Sequence, residues 1–338
     1  MINLTNKNIL ITGGAGFIGS HLCEHLLALG ANVTIIDNFS TGKVVNIKTF
    51  ADRINIVHSD ICDYAQVNKA CKGIHYIFHL AYPYGVDGRG LHQGYVDTGV
   101  VGTYNVLRAA VENNVTKVVN ISSVSAYGLV TDEGTPLNTS LDESRIGKQF
   151  LHYGVTKLSG EMYCKIFVDM YGLDSVSLRL FYGYGPRYAT FDHSALVNFL
   201  NRAINDEDLV IYGSGNQLRD YTYVTDIVNG IILSLNSQSK GDIYNISGGT
   251  TCSIKELAQT VIQQLPTKSS IRIAEEKEYR YNDKFVKIPQ GITGKVDGKW
   301  IDQRNFQADT TKAYKDFGWK PSIQLEDGII KMHEWMIK

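Results

Sequence analysis

The sequence predicts an α/β protein in which a doubly wound parallel sheet carries a smaller C-terminal lobe. Three observations point there. Short β-branched runs alternate with helix-period stretches through the first half of the chain. A turn with four glycines in seven residues joins the first run to the first helical stretch. After about residue 181 the alternation gives way to aromatic turns and polar segments.

Each element follows from its residues. "NILIT" (8–12) is the first strand, and a helical pattern occupies 17–29. "NVTII" (32–36), "INIVH" (54–58), "YIFHLA" (76–81), "KVVNISS" (117–123) and "SVSLRL" (175–180) read as further strands. They are nearly continuous apolar runs, as strands covered on both faces must be. Helical stretches at 98–113 and 154–171 supply right-handed crossovers. "FYGYGPRY" opens the lobe, and a helical segment runs from about Ser194 to Asn205. "DIYNIS" (242–247) is a strand that returns to the sheet. "SIKELAQTVIQQL" (253–265) is an amphipathic helix with Ser253 as its N-cap. Residues 276–308 are polar with little periodicity and read as a long loop. The domain boundary is expected at 181/182, giving units of 1–181 and 182–338.

The composition narrows the class. A chain of 338 residues buries a large core, and a net charge of -1 offers no field for nucleic acid or an anionic membrane. Five scattered cysteines form no C-x-x-C pair, as expected of thiols in a reducing compartment. "MINLTNKN" leads straight into a strand, so no signal peptide is expected. No apolar run is long enough to span a bilayer. A soluble, cytoplasmic protein is the expectation. His21 and His25 stand four apart but lack the rest of a metal motif, so no metal is expected.

The glycines carry the first chemistry. In "TGGAGFIGS", Gly14, Gly16 and Gly19 give G-x-G-x-x-G, while Gly13, Gly16 and Gly19 give G-x-x-G-x-x-G. A strand-to-helix turn of this kind lets the backbone touch a pyrophosphate, whose charge the helix N-terminus receives. Phe17 and Ile18 would pack that helix on the sheet. The second strand ends in Asp37, whose carboxylate can accept both ribose hydroxyls of an adenosine and would repel a 2′-phosphate. NAD is therefore favoured over NADP. Asp60, after the third strand, stands where an adenine edge would lie. The bland alternative is a Rossmann-type sheet with no cofactor at all.

Further along, "YGVTK" sets Tyr153 and Lys157 one helical turn apart on one face. An ammonium near a phenol stabilises the phenolate, which makes the tyrosine a usable base or acid near neutral pH. The fifth strand runs into "NISSVSAYG", so Ser122 and Ser123 stand at the carboxyl end of the sheet. A serine hydroxyl there can hold the oxygen that Tyr153 deprotonates. By itself the Y-x-x-x-K spacing is equally consistent with a solvated helix face.

Together these stretches resemble the extended short-chain dehydrogenase/reductases, in particular the NAD-dependent nucleotide-sugar epimerase/dehydratase group. "TGGAGFIG", "DNFSTG", "FHLA", "GTYNVLRAA", "SSVSAYG", "YGVTK", "RLFYGYGPR", "YGSGNQLRDYTYVTD" and "FGWKPSI" match in family order. The resemblance implies Tyr153 as acid and base, Lys157 tuning it and holding the nicotinamide ribose, and Ser123 on the substrate hydroxyl. It also implies that Asn38, Ile61, Leu80 and Ala81 border the cofactor. The lobe would bind a nucleotide sugar, with Tyr182, Arg219 and Arg304 on its diphosphate side; a surface arginine, or one paired with Asp220, is the alternative. Resemblance further implies a homodimer built on the helices at 98–113 and after Tyr153.

The fate of the oxidised sugar separates the subfamilies. The 4,6-dehydratases carry an acidic pair after the catalytic Ser/Thr, where this chain has Val124 and Ser125. UDP-glucuronate decarboxylases carry a glutamate at the Ser125 position. A C4 epimerase of a UDP-sugar needs neither group and is the expectation. Two residues depart from the family pattern, Gly99 and Tyr182, each standing where an asparagine is usual, and the stretch "YPYGVDGRGLHQG" (82–94) is also unlike it. An NAD-dependent C4 dehydrogenase or ketoreductase keeps the same three residues, and a non-catalytic NAD-binding regulator keeps the same fold.

Overall fold

The computed structural model describes residues 2–83, 93–128, 141–147, 149, 151–188, 194–274 and 305–338, and the strand backbones at 131–132, 135–136, 293–296 and 299–302. Seven strands make the main sheet: β1 (Asn8–Thr12), β2 (Asn32–Asp37), β3 (Asn55–His58), β4 (Tyr76–His79), β5 (Lys117–Ser123), β6 (Ser175–Leu180) and β7 (Ile243–Ile246). Their order is β7-β6-β5-β4-β1-β2-β3, and every neighbouring pair is parallel. The order reverses between β1 and β4. Ligands of such sheets bind at that reversal, beyond the carboxyl ends of the strands.

The strands are apolar because both faces are covered. Leu10, Ile36, Ile77 and Val118 face one layer, which holds α2 (Tyr64–Ala70), α3 (Thr103–Glu112) and α4 (His152–Tyr171). Ile9, Ile11, Ile35, Phe78 and Val119 face the other, toward α1 (Phe17–Ala28). Burying one such side chain is worth about 1.5–3 kcal/mol. That second cluster continues without a break into the C-terminal part, through α5 (Ala195–Ile204), α6 (Val224–Leu233), α7 (Ile254–Gln264), α8 (Thr311–Phe317) and α9 (Leu325–Met336). Trp319 is fully buried there and donates to the Asp226 carbonyl at 3.0 Å. Ser253 caps α7 as expected, in a reciprocal box with Glu256.

Two outcomes differ from the sequence reading. The stretch at 98–113 begins as a wide π-helical turn, Asp97–Gly102, before α3. The segment read as a loop at 276–308 contains a hairpin, Thr293–Val296 paired with Lys299–Asp302. It also contains Phe306, which is buried. Four of the five cysteines are buried thiols and Cys62 is half-buried. Among the described residues no helix is long and apolar enough to cross a membrane.

Candidate active site

At the end of β1 the chain turns sharply. Gly13 adopts φ +73°, and a Cβ there would lie 2.9 Å from the backbone of Ala81. A Cβ on Gly19 would lie 2.2 Å from the Gly13 carbonyl oxygen, so α1 can approach the turn only with glycine at that position. Gly16 is the N-cap of α1 without a side-chain cap, and no acidic residue stands in the first turn. The free N–H groups there suit a phosphate. Phe17 and Ile18 are half-buried against the core and also border the cavity. Gly19→Ala is expected to leave protein that is insoluble or holds no NAD. Cofactor content and thermal melting of the purified variant check this; normal values for both would refute it.

Asp37 closes β2. Its two carboxylate oxygens accept the Ala15 N–H (2.9 Å) and the Phe39 N–H (2.8 Å), leaving further lone pairs for ligand hydroxyls. Burial pushes its pKa up, against those two hydrogen bonds. Asn38 donates to Asp60 at 2.7 Å, and the Cys62 N–H donates to Asp60 at 2.8 Å. Burial works against the Asp60 carboxylate, but these bonds outweigh it and hold the pKa below the usual value. Ser59 and Ile61 line the cavity on either side of Asp60, which is not itself among the described lining residues.

Between β1 and β4 lies a hydrogen-bonded chain that the sequence did not disclose. Thr103 donates to the Gly99 carbonyl (2.9 Å), so its oxygen accepts from His79 Nε2 (2.9 Å). His79 Nδ1 then accepts from Thr12 Oγ1 (2.7 Å), which in turn accepts the Leu80 and Ala81 N–H groups (both 3.1 Å). Burial holds the His79 pKa down at about 3, with the Lys157 charge adding to it. Below the ordinary histidine value of 6.5 the unfolded chain takes up a proton that the folded chain refuses. Stability therefore falls as pH drops from about 6.5 toward 3. Urea midpoints across that range should decline in the parent and decline less in His79→Gln; parallel declines would refute this source.

Ser122 and Ser123 end β5 as expected, but they do different things. Ser122 donates to the buried Glu161 at 2.5 Å, whereas Ser123 Oγ accepts the Ser125 N–H at 3.1 Å; both border the cavity. Tyr153 and Lys157 lie in the first two turns of α4. Lys157 Nζ donates to the Ile121 carbonyl at 2.8 Å and lies 5.9 Å from the Tyr153 ring centroid. Burial lowers the Lys157 pKa to about 7, against the pull of Glu161. Tyr82, which the sequence reading did not single out, packs on both.

The cavity, about 650 Å³, runs from the glycine turn past Leu80, Ala81, Ser123, Tyr153 and Lys157 to Arg219. Val124, Ser125 and Tyr182 also border it. The Arg219 guanidinium lies 5.3 Å from the Tyr182 ring centroid and 5.6 Å from that of Phe306, two rings that themselves adjoin at 6.0 Å. Asp220 accepts the Gly249 and Ala308 N–H groups. Arg304 lies outside the described residues. The two glycine contacts that exclude a Cβ, the uncapped start of α1 and the engaged Asp37 fit the pyrophosphate and ribose of a dinucleotide.

Known proteins share this frame. Residues 9–247 match the model of the NAD dependent epimerase/dehydratase family. A UDP-N-acetyl-alpha-D-glucosaminuronate decarboxylase from Bacillus cytotoxicus is 32% identical over 335 residues, 97% of each chain. A UDP-N-acetylglucosamine 4-epimerase from Methanobrevibacter ruminantium, solved with UDP-N-acetylmuramic acid, superposes with TM-score 0.82 at 29% identity, covering 98% of this chain and 99% of that one. A UDP-glucuronic acid 4-epimerase from Bacillus cereus, solved with UDP-glucuronic acid and NAD, gives TM-score 0.81 at 27% identity and the same coverage. With matches along its whole length, this chain belongs to the NAD-dependent epimerase/dehydratase family, and its cofactor is NAD.

Proposed function

We propose that the protein is an NAD-dependent epimerase acting at C4 of a UDP-sugar. One observation carries the reading: among the described residues lining the cavity, Asp37 is the only carboxylate, and it closes β2, where this reading puts the adenosine ribose. Elimination of water calls for acid–base groups beside the sugar, and the family resemblance puts a glutamate at the Ser125 position in UDP-glucuronate decarboxylases; Val124 and Ser125 supply no carboxyl group there.

Tyr153 takes the proton of the sugar 4-hydroxyl, while Ser123 holds the same oxygen. The Lys157 ammonium stabilises the phenolate. NAD, when bound, would supply the hydride acceptor and then the donor. The carbon–hydrogen bond at C4 breaks, the C4–O bond becomes a carbonyl, and the keto sugar turns over in the cavity. Tyr153 would then return the proton to the C4 oxygen once the other face of the sugar is presented to the cofactor. Arg219 is positioned for the diphosphate, where a guanidinium fork suits phosphate oxygens.

The test incubates purified protein, without added cofactor, with UDP-glucose, UDP-galactose, their N-acetyl forms and their uronates. Products are resolved by NMR and absorbance is followed at 340 nm. C4 epimers interconverting without net NADH are the expected result. A released CO₂ with a pentose product would overturn it in favour of the decarboxylase chemistry of the Bacillus cytotoxicus relative. NADH accumulating with a keto sugar would point to a dehydrogenase.

The outer faces of α3 and α4 expose Tyr104, Met162 (60%), Ile166 and Met170 (68%). Such a strip supports a homodimer in which a second copy covers both helices. Light scattering that gives a monomer mass at micromolar concentration would refute it.

A further inference from the structure

Beside the proposed acid–base pair lies an aromatic wall that the reaction scheme does not use. Gly99, in the π-helical turn, is buried, and a Cβ there would lie 2.8 Å from Thr156 Cβ and 3.0 Å from Tyr82 Cε2. The missing side chain leaves room that Tyr82 and Thr156 fill. The Tyr82 hydroxyl lies 2.9 Å from Thr156 Oγ1. Thr156 itself donates to the Tyr153 carbonyl at 3.1 Å, so Tyr82 is the donor of that bond. The Tyr82 and Tyr153 rings meet in an edge-type contact, with centroids 4.9 Å apart at 60°. Lys157 Nζ lies 4.5 Å from the ring centroid, within cation–π range. On its other side Tyr82 stacks with the buried Tyr95 (6.0 Å, 25°), which stacks in turn with His152 (6.4 Å, 5°).

We propose that Tyr82 is a positioning residue for Tyr153 and Lys157, seated in the space that Gly99 vacates, with its ring holding the lysine in its ammonium form. This rests on the reading of Tyr153 as the acid–base group. Among the described residues the charged and titratable neighbours of Lys157 are few. Glu161 lies one turn further along α4, neutral His79 approaches from β4, and the Ile121 carbonyl accepts from Lys157 on β5. Of these, Glu161 favours the ammonium through charge and the Ile121 carbonyl through a hydrogen bond, while burial opposes it. The Tyr82 ring adds a third favourable contact through its negative face.

Without the ring face Lys157 loses its proton more easily, a neutral amine no longer supports the phenolate, and Tyr153 becomes harder to ionise. The test is a spectrophotometric titration at 295 nm of the holoprotein, each variant being referenced to the same variant carrying Tyr153→Phe. Tyr82→Leu should raise the Tyr153 pKa by up to about one unit, the cation–π energy lost at Lys157 being the ceiling on what reaches the tyrosine. Tyr82→Phe keeps the ring and should leave it unchanged. Tyr82→Met serves if the leucine variant misfolds, with folding checked by NAD content and melting. No shift in either apolar variant, or an equal shift in Tyr82→Phe, would overturn the proposal. The titration needs no substrate, so the two readings fail separately. Turnover on no sugar nucleotide together with a shift defeats the reaction, and turnover without a shift defeats the role of Tyr82.

Discussion

Tyr153→Phe is expected to lower turnover by about a hundred- to ten-thousand-fold while leaving bound NAD nearly undiminished. The substitution removes one oxygen and keeps the ring, so the contact with Tyr82 and the place of Lys157 beside Ile121 survive. The loss is confined to the only group proposed to carry the proton of the sugar hydroxyl. The measurement pairs an NMR epimerisation assay with cofactor released on denaturation. Undiminished turnover would sink the assignment of the base, and a parallel loss of NAD would show instead that the variant had disturbed the site.

The largest stability effect is expected at Glu161. Arg179 on β6 is fully buried and donates to both Glu161 oxygens, at 2.8 and 2.7 Å, with side-chain exposures of 0% and 1%. Arg179 also donates to the Glu143 carbonyl at 3.2 Å and lies 4.3 Å from the Tyr127 ring centroid. Glu161→Gln leaves the guanidinium without a compensating charge and should cost about 3–5 kcal/mol. Replacing the pair together, as Glu161→Leu with Arg179→Met, should cost much less, because burying two charges is itself expensive. Urea denaturation of the parent, Glu161→Gln, Glu161→Leu, Arg179→Met and the Leu/Met double variant decides it. Additive losses would show that the pair is not coupled. Glu161 stands one turn beyond Lys157, so the pair also sets how α4 lies on β5 and β6.

Much of the sheet was legible because a strand buried on both faces leaves an unmistakable apolar run. The strands at 8–12, 117–123 and 175–180 match residue for residue. The turn at Gly13 and the Tyr153–Lys157 pair were legible because local spacing places them. The lobe was harder to read. Its strands of two or three residues, such as Gly183–Tyr184 beside Thr222–Tyr223, are held by tertiary pairing and carry no period of their own. Tyr82 was missed for a similar reason, since its partner in space, Gly99, lies seventeen positions away and no local pattern joins them. The one hint of the buried ion pair was an arginine inside the apolar run "SVSLRL".

The chain through Thr12, His79 and Thr103 also has a direction. Every hydroxyl and ring nitrogen in it is committed, beginning at the Leu80 and Ala81 N–H groups and ending at the Gly99 carbonyl. If His79 gained a second proton, three donors would converge on Thr12 Oγ1, which has two lone pairs. One donor would then be stranded in a dry interior, at the very strand ends that frame the cavity. The crevice is thus held at its width by a one-way rivet, whose polarity is written before any ligand arrives.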